Sequence, residues 1–461
     1  MSEDPGPPDF SEPVHVHVVG AGGAGMSAIA TVLAAMGHTV TGSDLKTSPV
    51  IDRLTAAGMN VIVGHAAENV GDADVVTVSS AIRDDNPEVV EARRRGIPVY
   101  RRSTALAAIA ELRRCIAVAG THGKTTTASM LSLMLVEAGL RPSFLIGGEV
   151  NEIGTNAVWD DGEWLVVEAD ESDGTFLSLR PDIAVVTNVE PDHLDHYGSF
   201  EAMRSAFGAF LVVARQRVVG GDDAEALTLA RAHGADTVGV GENCTHRLTG
   251  LDLSRSSVAF TLTGPDGVDL GRLAVPVPGL HNARNAAVAA VAALAAGVAF
   301  GDAAAALARF AGVARRFEFR GVAGGVTFVD DYAHLPSEVE AALAAAKNGA
   351  WQRIVAVFQP HRYSRTAALS SDFGRAFAQA DVVVITDVYG AGEPPIPGVS
   401  GRLVADAVRR AQPGKPVVYV AGRTELRAEV ASLLTAGDLC CTLGAGDLTS
   451  LPDELLAAPS W

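Results

Sequence analysis

Apolar and polar positions along the chain switch repeatedly between the period of a strand and the period of a helix. Val14 to Val19 is a β-branched run that reads as a buried strand, and Ser27 to Met36 then follows the helical period until Gly37 stops it. The same switch recurs where the apolar run Cys115 to Ala119 precedes the helical stretch Ala128 to Ala138 and Gly139. Further strands are predicted at Thr39 to Gly42, Val75 to Val78, Trp164 to Val167 and Ile183 to Thr187. The Ala-dominated run from Ala286 to Phe300 is shorter than the ~20 residues a membrane span needs, so it predicts a buried helix. Gly-rich strand-to-helix junctions near Gly20, Gly120 and Gly444 fall one in each third of the chain. That arrangement predicts an α/β fold built on mostly parallel sheets.

Length turns this pattern into a domain count. At ~150 residues per domain, 461 residues suggest about three domains. Against 36 basic side chains stand 54 acidic ones, a formal charge of −18. Such a balance opposes attraction to phosphate backbones or anionic lipid, which argues against nucleic acid and membrane surfaces as partners. Cys115, Cys244, Cys440 and Cys441 lack paired metal-ligand spacing and are too few to staple a chain this long, so a reducing, cytoplasmic setting is expected. Residues 1–13 are acidic and Pro-rich without the order of a signal peptide, and a disordered tail is expected there.

Two junctions carry phosphate chemistry. The first strand runs into Gly20-Ala21-Gly22-Gly23-Ala24-Gly25, a complete G-x-G-x-x-G whose backbone amides and helix N-terminus suit a pyrophosphate. Asp44 stands 24 residues after Gly20, where a ribose-binding acid belongs. Ser80, at the end of a later strand, faces the same crevice, and His65 is a candidate to stack on a base or simply a surface histidine. The second junction is Gly120-Thr121-His122-Gly123-Lys124-Thr125-Thr126, with strand before and helix after. It departs from the common P-loop form because Gly120 stands only three residues before Gly123. The donors survive: loop amides for phosphates, Lys124 for the terminal phosphates and the Thr125 hydroxyl for Mg²⁺. Glu168, at a strand end, is a candidate carboxylate for that metal, whereas His193 reads equally well as a loop histidine. His281, Asn282 and Asn285 open the Ala-rich helix and offer groups to an adenine edge.

These residues, in this order, resemble the Mur ligases, the family that builds the peptide of bacterial peptidoglycan. The resemblance covers the chain after its tail and extends through Arg315-Arg316-Phe317-Glu318, Asp330-Asp331-Tyr332-Ala333-His334, Gln359-Pro360-His361-Arg362-Tyr363-Ser364-Arg365 and Gly390-Ala391-Gly392-Glu393. Within the family it is most similar to the branch that adds L-alanine to UDP-N-acetylmuramate. It implies three domains: a Rossmann-like UDP-sugar domain at 14–113, a central P-loop ATPase-type domain at 114–313 and a Rossmann-like amino-acid domain at 314–461.

The implied reaction is ATP-dependent amide formation. The muramoyl carboxylate takes the γ-phosphoryl group, and the L-alanine amine attacks the acyl phosphate. The resemblance gives Lys124 the β/γ-phosphates, Thr125 and Glu168 one Mg²⁺, and His193 a second. It places His281, Asn282 and Asn285 at adenine, Arg316 at the phosphates and Asp331 at the ribose. Tyr332, His334, His361, Arg362 and Arg365 match the amino-acid pocket, and Gly20, Gly22, Gly23 and Gly25 the UDP pyrophosphate site. A planar guanidinium suits the amino-acid carboxylate, and phosphoryl transfer needs cations where negative charge develops.

Two departures stand out. Leu335 follows His334 where relatives have a second His, and the only lysines are Lys46, Lys124, Lys347 and Lys415, so a carbamylated lysine beside the second metal is absent. The alternatives are the family's tripeptide-recycling branch and an NAD-dependent oxidoreductase, which would leave the P-loop unused. The oligomeric state stays open, a homodimer included.

Overall fold

The computed structural model describes residues 6–457. Three α/β domains are built on three sheets. The first sheet holds β1 (His15–Val19), β2 (Thr39–Asp44), β3 (Asn60–Val63), β4 (Val75–Val78) and β5 (Val99–Arg101), all parallel in the order β3-β2-β1-β4-β5. The strand order reverses direction at β1, and the glycine loop follows β1 directly. In open α/β sheets ligands bind at such a reversal.

The second sheet has ten strands: β6 (Arg114–Ala119), β7 (Ser143–Val150), β8 (Thr155–Val158), β9 (Trp164–Glu168), β10 (Ile183–Val186), β11 (Gln216–Gly220), β12 (Asp236–Gly239), β13 (His246–Leu253), β14 (Val258–Thr263) and β15 (Asp269–Val275). Their order is β15-β14-β13-β12-β11-β10-β6-β9-β7-β8. Its centre, β11-β10-β6-β9-β7, is parallel and buried on both faces, which accounts for uninterrupted apolar runs such as Ile183–Val186. The third sheet orders β16 (Glu318–Ala323), β17 (Val326–Asp331), β18 (Arg353–Phe358), β19 (Val382–Ile385), β20 (Val417–Tyr419) and β21 (Asp438–Leu443) as β16-β17-β21-β18-β19-β20. Only β16 runs antiparallel to its neighbour in that sheet.

By packing, the chain forms two compact units. One comprises the residues up to Gly250 with Thr261–Leu273 and Arg284–Phe310; the other comprises Leu251–Phe260, Ala274–Ala283 and the residues from Ala311 onward. In the first unit one apolar cluster joins Val16, Met26 and Ile29 to Ala117, Val167 and Phe207, so the first two sheets share a core. The Ala-rich stretch forms the helix Leu280–Ala295, buried along Ala286, Ala289 and Ala293. Among the described residues no helix is long and apolar enough to cross a membrane. All four cysteines are buried and free.

One expectation is corrected. Residues 6–13 are not a disordered tail: Phe10 is buried in the first unit's core, its ring edge-on to His38, and Tyr100 donates its hydroxyl to the Gly6 carbonyl at 2.8 Å. The apolar side chain among prolines finds a cleft to fill, so composition alone misread the segment. Residues 1–5 lie outside the described residues.

Candidate active site

The P-loop links β6 to the helix Lys124–Glu137. Gly123 has φ +78°, and a methyl group built there would run into Asn285 Oδ1, so the glycine lets the helix Leu280–Ala295 bring Asn285 against the loop. The loop is braced from the end of β10, where the Asn188 side chain accepts from the His122 amide (2.9 Å) and donates to the His122 carbonyl (3.0 Å). Thr121 donates its hydroxyl to the Glu190 carbonyl, and the His122 ring meets the Glu190 carboxylate at 3.2 Å. Thr126 is buried.

Lys124 is folded back. Its Nζ donates to the Gly120 carbonyl at 2.6 Å and to Glu171 Oε1 at 2.7 Å. Burial pushes the Glu171 carboxyl up to about 7 even though Lys124 pulls it down, while burial works against the charge on Lys124 and Glu171 and Asp170 restore it. Thr125 donates its hydroxyl to Glu168 Oε1 at 2.9 Å, and the Gly147 amide holds the other Glu168 oxygen at 2.6 Å. A hydroxyl and a carboxylate thus converge beside the phosphate cradle, a set that fits Mg²⁺ completed by phosphate and water. His193 sits at a backbone φ of 50° with its ring 3.2 Å from Asp192. Among the described residues no three His, Cys, Asp or Glu side chains gather into a metal cage.

At the first sheet, the leading amides of the glycine loop already have partners. Gly20 and Ala21 donate to the Ser43 carbonyl, and Gly22 donates to Asp44 Oδ2 at 2.8 Å. Gly23 caps the helix Ala24–Ala35, and Gly25 lies in its first turn. Beneath the loop lies Glu88, which accepts from Ser43 Oγ at 2.6 Å and Asn69 Nδ2 at 2.6 Å and faces His17 and His65. The His65 ring is turned inward onto Ser43 and Glu88, not outward to a surface. Ser80 is exposed and lines a cavity of about 630 Å³ with Ile82, Arg101, Arg102, Asp173 and Thr175 among others.

The second unit gathers its own cluster. Asp331, the last residue of β17, accepts the Phe317 and Ala333 amides at 2.8 Å each, and burial pushes its carboxyl up to about 6 against the pull of Arg316. The Arg316 guanidinium lies 5.1 Å from the Tyr332 ring centre. Tyr332, His334 and His361 follow edge to face, and Tyr389 stacks on His361 at 5.8 Å. Burial first, then His334, Arg365 and Arg362, drive the His361 pKa down to about 3. Arg362 adopts φ +68° to start the helix Tyr363–Leu369. Leu335 is buried in the core, so the position of the missing second His is a packing position here. Asn282 is buried and donates to the Pro278 carbonyl at 2.7 Å, and His281 packs on Gly279.

Three family descriptions match consecutive segments: the Mur ligase family catalytic domain over residues 15–114, the Mur ligase middle domain over 118–293 and the Mur ligase glutamate ligase domain over 315–446. The chain belongs to the Mur ligase family. A UDP-N-acetylmuramate--L-alanine ligase of Anaeromyxobacter sp. (strain Fw109-5) is 44% identical over 97% of this chain and 98% of its own. One from Saccharopolyspora erythraea is 46% identical over 96% and 92% respectively. The crystal structure of a Thermotoga maritima UDP-N-acetylmuramate-alanine ligase superposes with a TM-score of 0.82 at 30% identity, covering 96% of this chain and 98% of that one. A murein peptide ligase from Psychrobacter arcticus gives 0.70 at 25%, covering 97% and 99%.

Within this Mur ligase three residues escaped sequence reasoning. Glu171 hid in an acidic run where Glu168 drew the assignment. Glu88 follows Pro87 in a first helical turn and reads as an ordinary helix-start acid. Arg102 gave one signal, its place at a strand-to-helix junction opposite the glycine loop.

Proposed function

We propose that this Mur ligase joins L-alanine to the carboxylate of UDP-N-acetylmuramate at the expense of ATP, releasing ADP and phosphate. The relatives of that name, 44–46% identical and matched over 92–98% of their length, carry the reading. A P-loop lysine held by Glu171, beside a Thr125 hydroxyl bonded to Glu168, supports it. The recycling alternative gains no comparable support, since the murein peptide ligase is less similar in both sequence and structure than the alanine ligase.

In this reading residues 14–113 take the UDP-sugar, 114–313 ATP and 314–461 the amino acid. Amides of the P-loop hold the phosphates, and Lys124, exchanging Glu171 for phosphate oxygens, steadies charge on the transferring group. Attack by the muramoyl carboxylate breaks the bond to ADP, and the alanine amine then displaces phosphate from the acyl carbon. Thr125 and Glu168 would hold Mg²⁺, which neutralises phosphate charge when bound. Assignment of a second metal to His193 rests on the family resemblance. Asn285 and Asp331 would meet adenine and ribose, and Arg316 the phosphates. Arg365 and Arg362 would hold the alanine carboxylate beside a neutral His361. We place the reaction in the cytoplasm, and a homodimer is tested by light scattering.

The test is phosphate release from ATP, Mg²⁺ and UDP-N-acetylmuramate with single amino acids. Release should require both the sugar nucleotide and L-alanine; a requirement for tripeptide instead would move the protein to the recycling branch.

A further inference from the structure

Three parallel strand ends lie side by side in the first sheet. β1 leads into the glycine loop, β2 ends at Asp44, and β3 leads through Gly64 to His65, with the Gly64 amide donating to the Asp44 carbonyl at 2.7 Å. Strands lie about 4.8 Å apart, so a nucleotide with its pyrophosphate on the glycine loop and its ribose at Asp44 brings its base to the end of β3. His65 is held there by a chain of hydrogen bonds. Its Nδ1 lies 3.0 Å from Ser43 Oγ, and Ser43 Oγ lies 2.6 Å from Glu88 Oε2. The second Glu88 oxygen accepts from Asn69 Nδ2 at 2.6 Å and from the Ala66 amide at 3.3 Å. Burial opposes the charge, but the neighbouring His17, Ser43 and Asn69 keep the Glu88 carboxyl down at about 2, so at neutral pH it only accepts. A hydroxyl has one proton. Ser43 donates it to the carboxylate and must accept from His65, which fixes that ring with its proton on Nδ1. On the other side of the ring Nε2 keeps a bare lone pair. It has no partner among the described residues and is not sealed from solvent as His17 Nε2 is.

We propose that Glu88 is a positioning residue that, acting through Ser43, holds His65 as a hydrogen-bond acceptor and so selects uracil as the base of the sugar nucleotide. Uracil offers an N3–H donor where cytosine offers a bare N3. An acceptor set against an acceptor leaves both unpaired, so a cytosine nucleotide is rejected. The near-isosteric Glu88→Gln reverses the chain. Asn69 and the Ala66 amide claim the new carbonyl oxygen, which turns the amide nitrogen toward Ser43. Ser43 must then accept from it and donate to His65 Nδ1, and the histidine proton moves to Nε2. This inference rests on the ligase reading above, from which it takes a nucleoside diphosphate sugar as ligand.

Calorimetric titrations of the whole chain with UDP and with CDP test the selection. Nitrogen NMR spectra of isotope-labelled histidines, with the His65 signals identified by their absence in His65→Ala, report the tautomer directly. The wild type should bind UDP about tenfold or more tighter than CDP and carry the His65 proton on Nδ1. In Glu88→Gln the proton should appear on Nε2 and the UDP-to-CDP preference should fall by about tenfold. His65→Ala should lower the preference by a similar factor, and adding Glu88→Gln to it should change the preference by less than about twofold. A merely structural loss would weaken both ligands alike and leave the preference intact. Ser43→Ala, which interrupts the chain, should also lower the preference, and it carries the test if Glu88→Gln does not fold. An unchanged preference in Glu88→Gln and Ser43→Ala, or a wild-type His65 with its proton on Nε2, overturns the role of Glu88 and leaves the ligase reading standing. No binding of UDP-N-acetylmuramate by the wild type overturns the ligase reading and this inference with it.

Discussion

Lys124 Nζ lies 2.7 Å from Glu171 Oε1, with Glu171 buried and Lys124 partly so at the mouth of the P-loop. The lysine is thus kept charged and folded onto its own loop, with phosphate oxygens as its natural replacement partners. Lys124→Ala should lower turnover by on the order of 10³ or more by removing charge stabilisation of the transferring group. Sugar-nucleotide affinity should stay, because the Lys124 ammonium is held by Gly120, Thr121 and Glu171 and not by the glycine loop after β1. An equal loss of UDP-N-acetylmuramate affinity in a calorimetric titration would contradict that separation.

Thr125 and Glu168 share a hydrogen bond that a metal would displace. Thr125→Val and Glu168→Gln should each raise the Mg²⁺ concentration for half-maximal phosphate release by about 10–100-fold. Magnesium titrations that superpose on the wild type would remove both from the metal site.

Glu88 gives a pH signature. Burial disfavours its charge, but the His17 ring 3.6 Å away and hydrogen bonds from Ser43 and Asn69 prevail and hold its pKa at about 2, below the ordinary 4.5. A depressed pKa means the unfolded chain binds the extra proton. The stabilisation is therefore complete above about 4.5 and is lost as pH falls toward 2. A shift of that size corresponds to about 3 kcal/mol. Glu88→Gln should lower the melting temperature at pH 7 and flatten its decline between pH 5 and 3. A parallel decline in wild type and variant would rule Glu88 out as the source.

What the sequence showed and what it hid follow one physical division. The glycine loop, the P-loop and Glu168 were legible because each is a short-range pattern: a strand, a glycine turn, a helix start, or an acid at a strand end. Glu171, Glu88 and Arg102 were not, because their meaning lies in partners 47, 45 and 68 residues away. Asn282 shows what short-range patterns leave out: its place in a recognisable motif suggested an adenine contact, while its hydrogen bond to the Pro278 carbonyl was not legible there.

Arg365 should set alanine affinity. Together with Arg362 it faces His361, whose pKa of about 3 keeps the ring neutral at any working pH and leaves the guanidinium groups as the local cations. Arg365→Ala should raise the KM for alanine by about 10–100-fold, with the KM for ATP nearly unchanged. The alanine KM should also lack a titration of His361 between pH 5 and 8. An unchanged alanine KM would take Arg365 out of the pocket.

Phe10 tests the segment that composition misread. Its ring is 3% exposed, meets His38 at 5.5 Å and belongs to the same apolar cluster as Met26, Ile29 and Leu33 of the helix Ala24–Ala35. The His38 ring in turn accepts the Val14 amide at 3.1 Å, so the segment enters β1 already anchored. Removing a buried phenyl ring costs about 3–5 kcal/mol where the site cannot collapse. Phe10→Ala and deletion of residues 1–13 should therefore lower the melting temperature by similar amounts. A freely moving tail would give no shift in either case. Because Phe10 packs on His38, past the C-terminal end of the helix Ala24–Ala35 whose N-terminus follows the glycine loop, the KM values of the Phe10→Ala enzyme should match wild type at 25 °C, separating a stabilising role from a catalytic one.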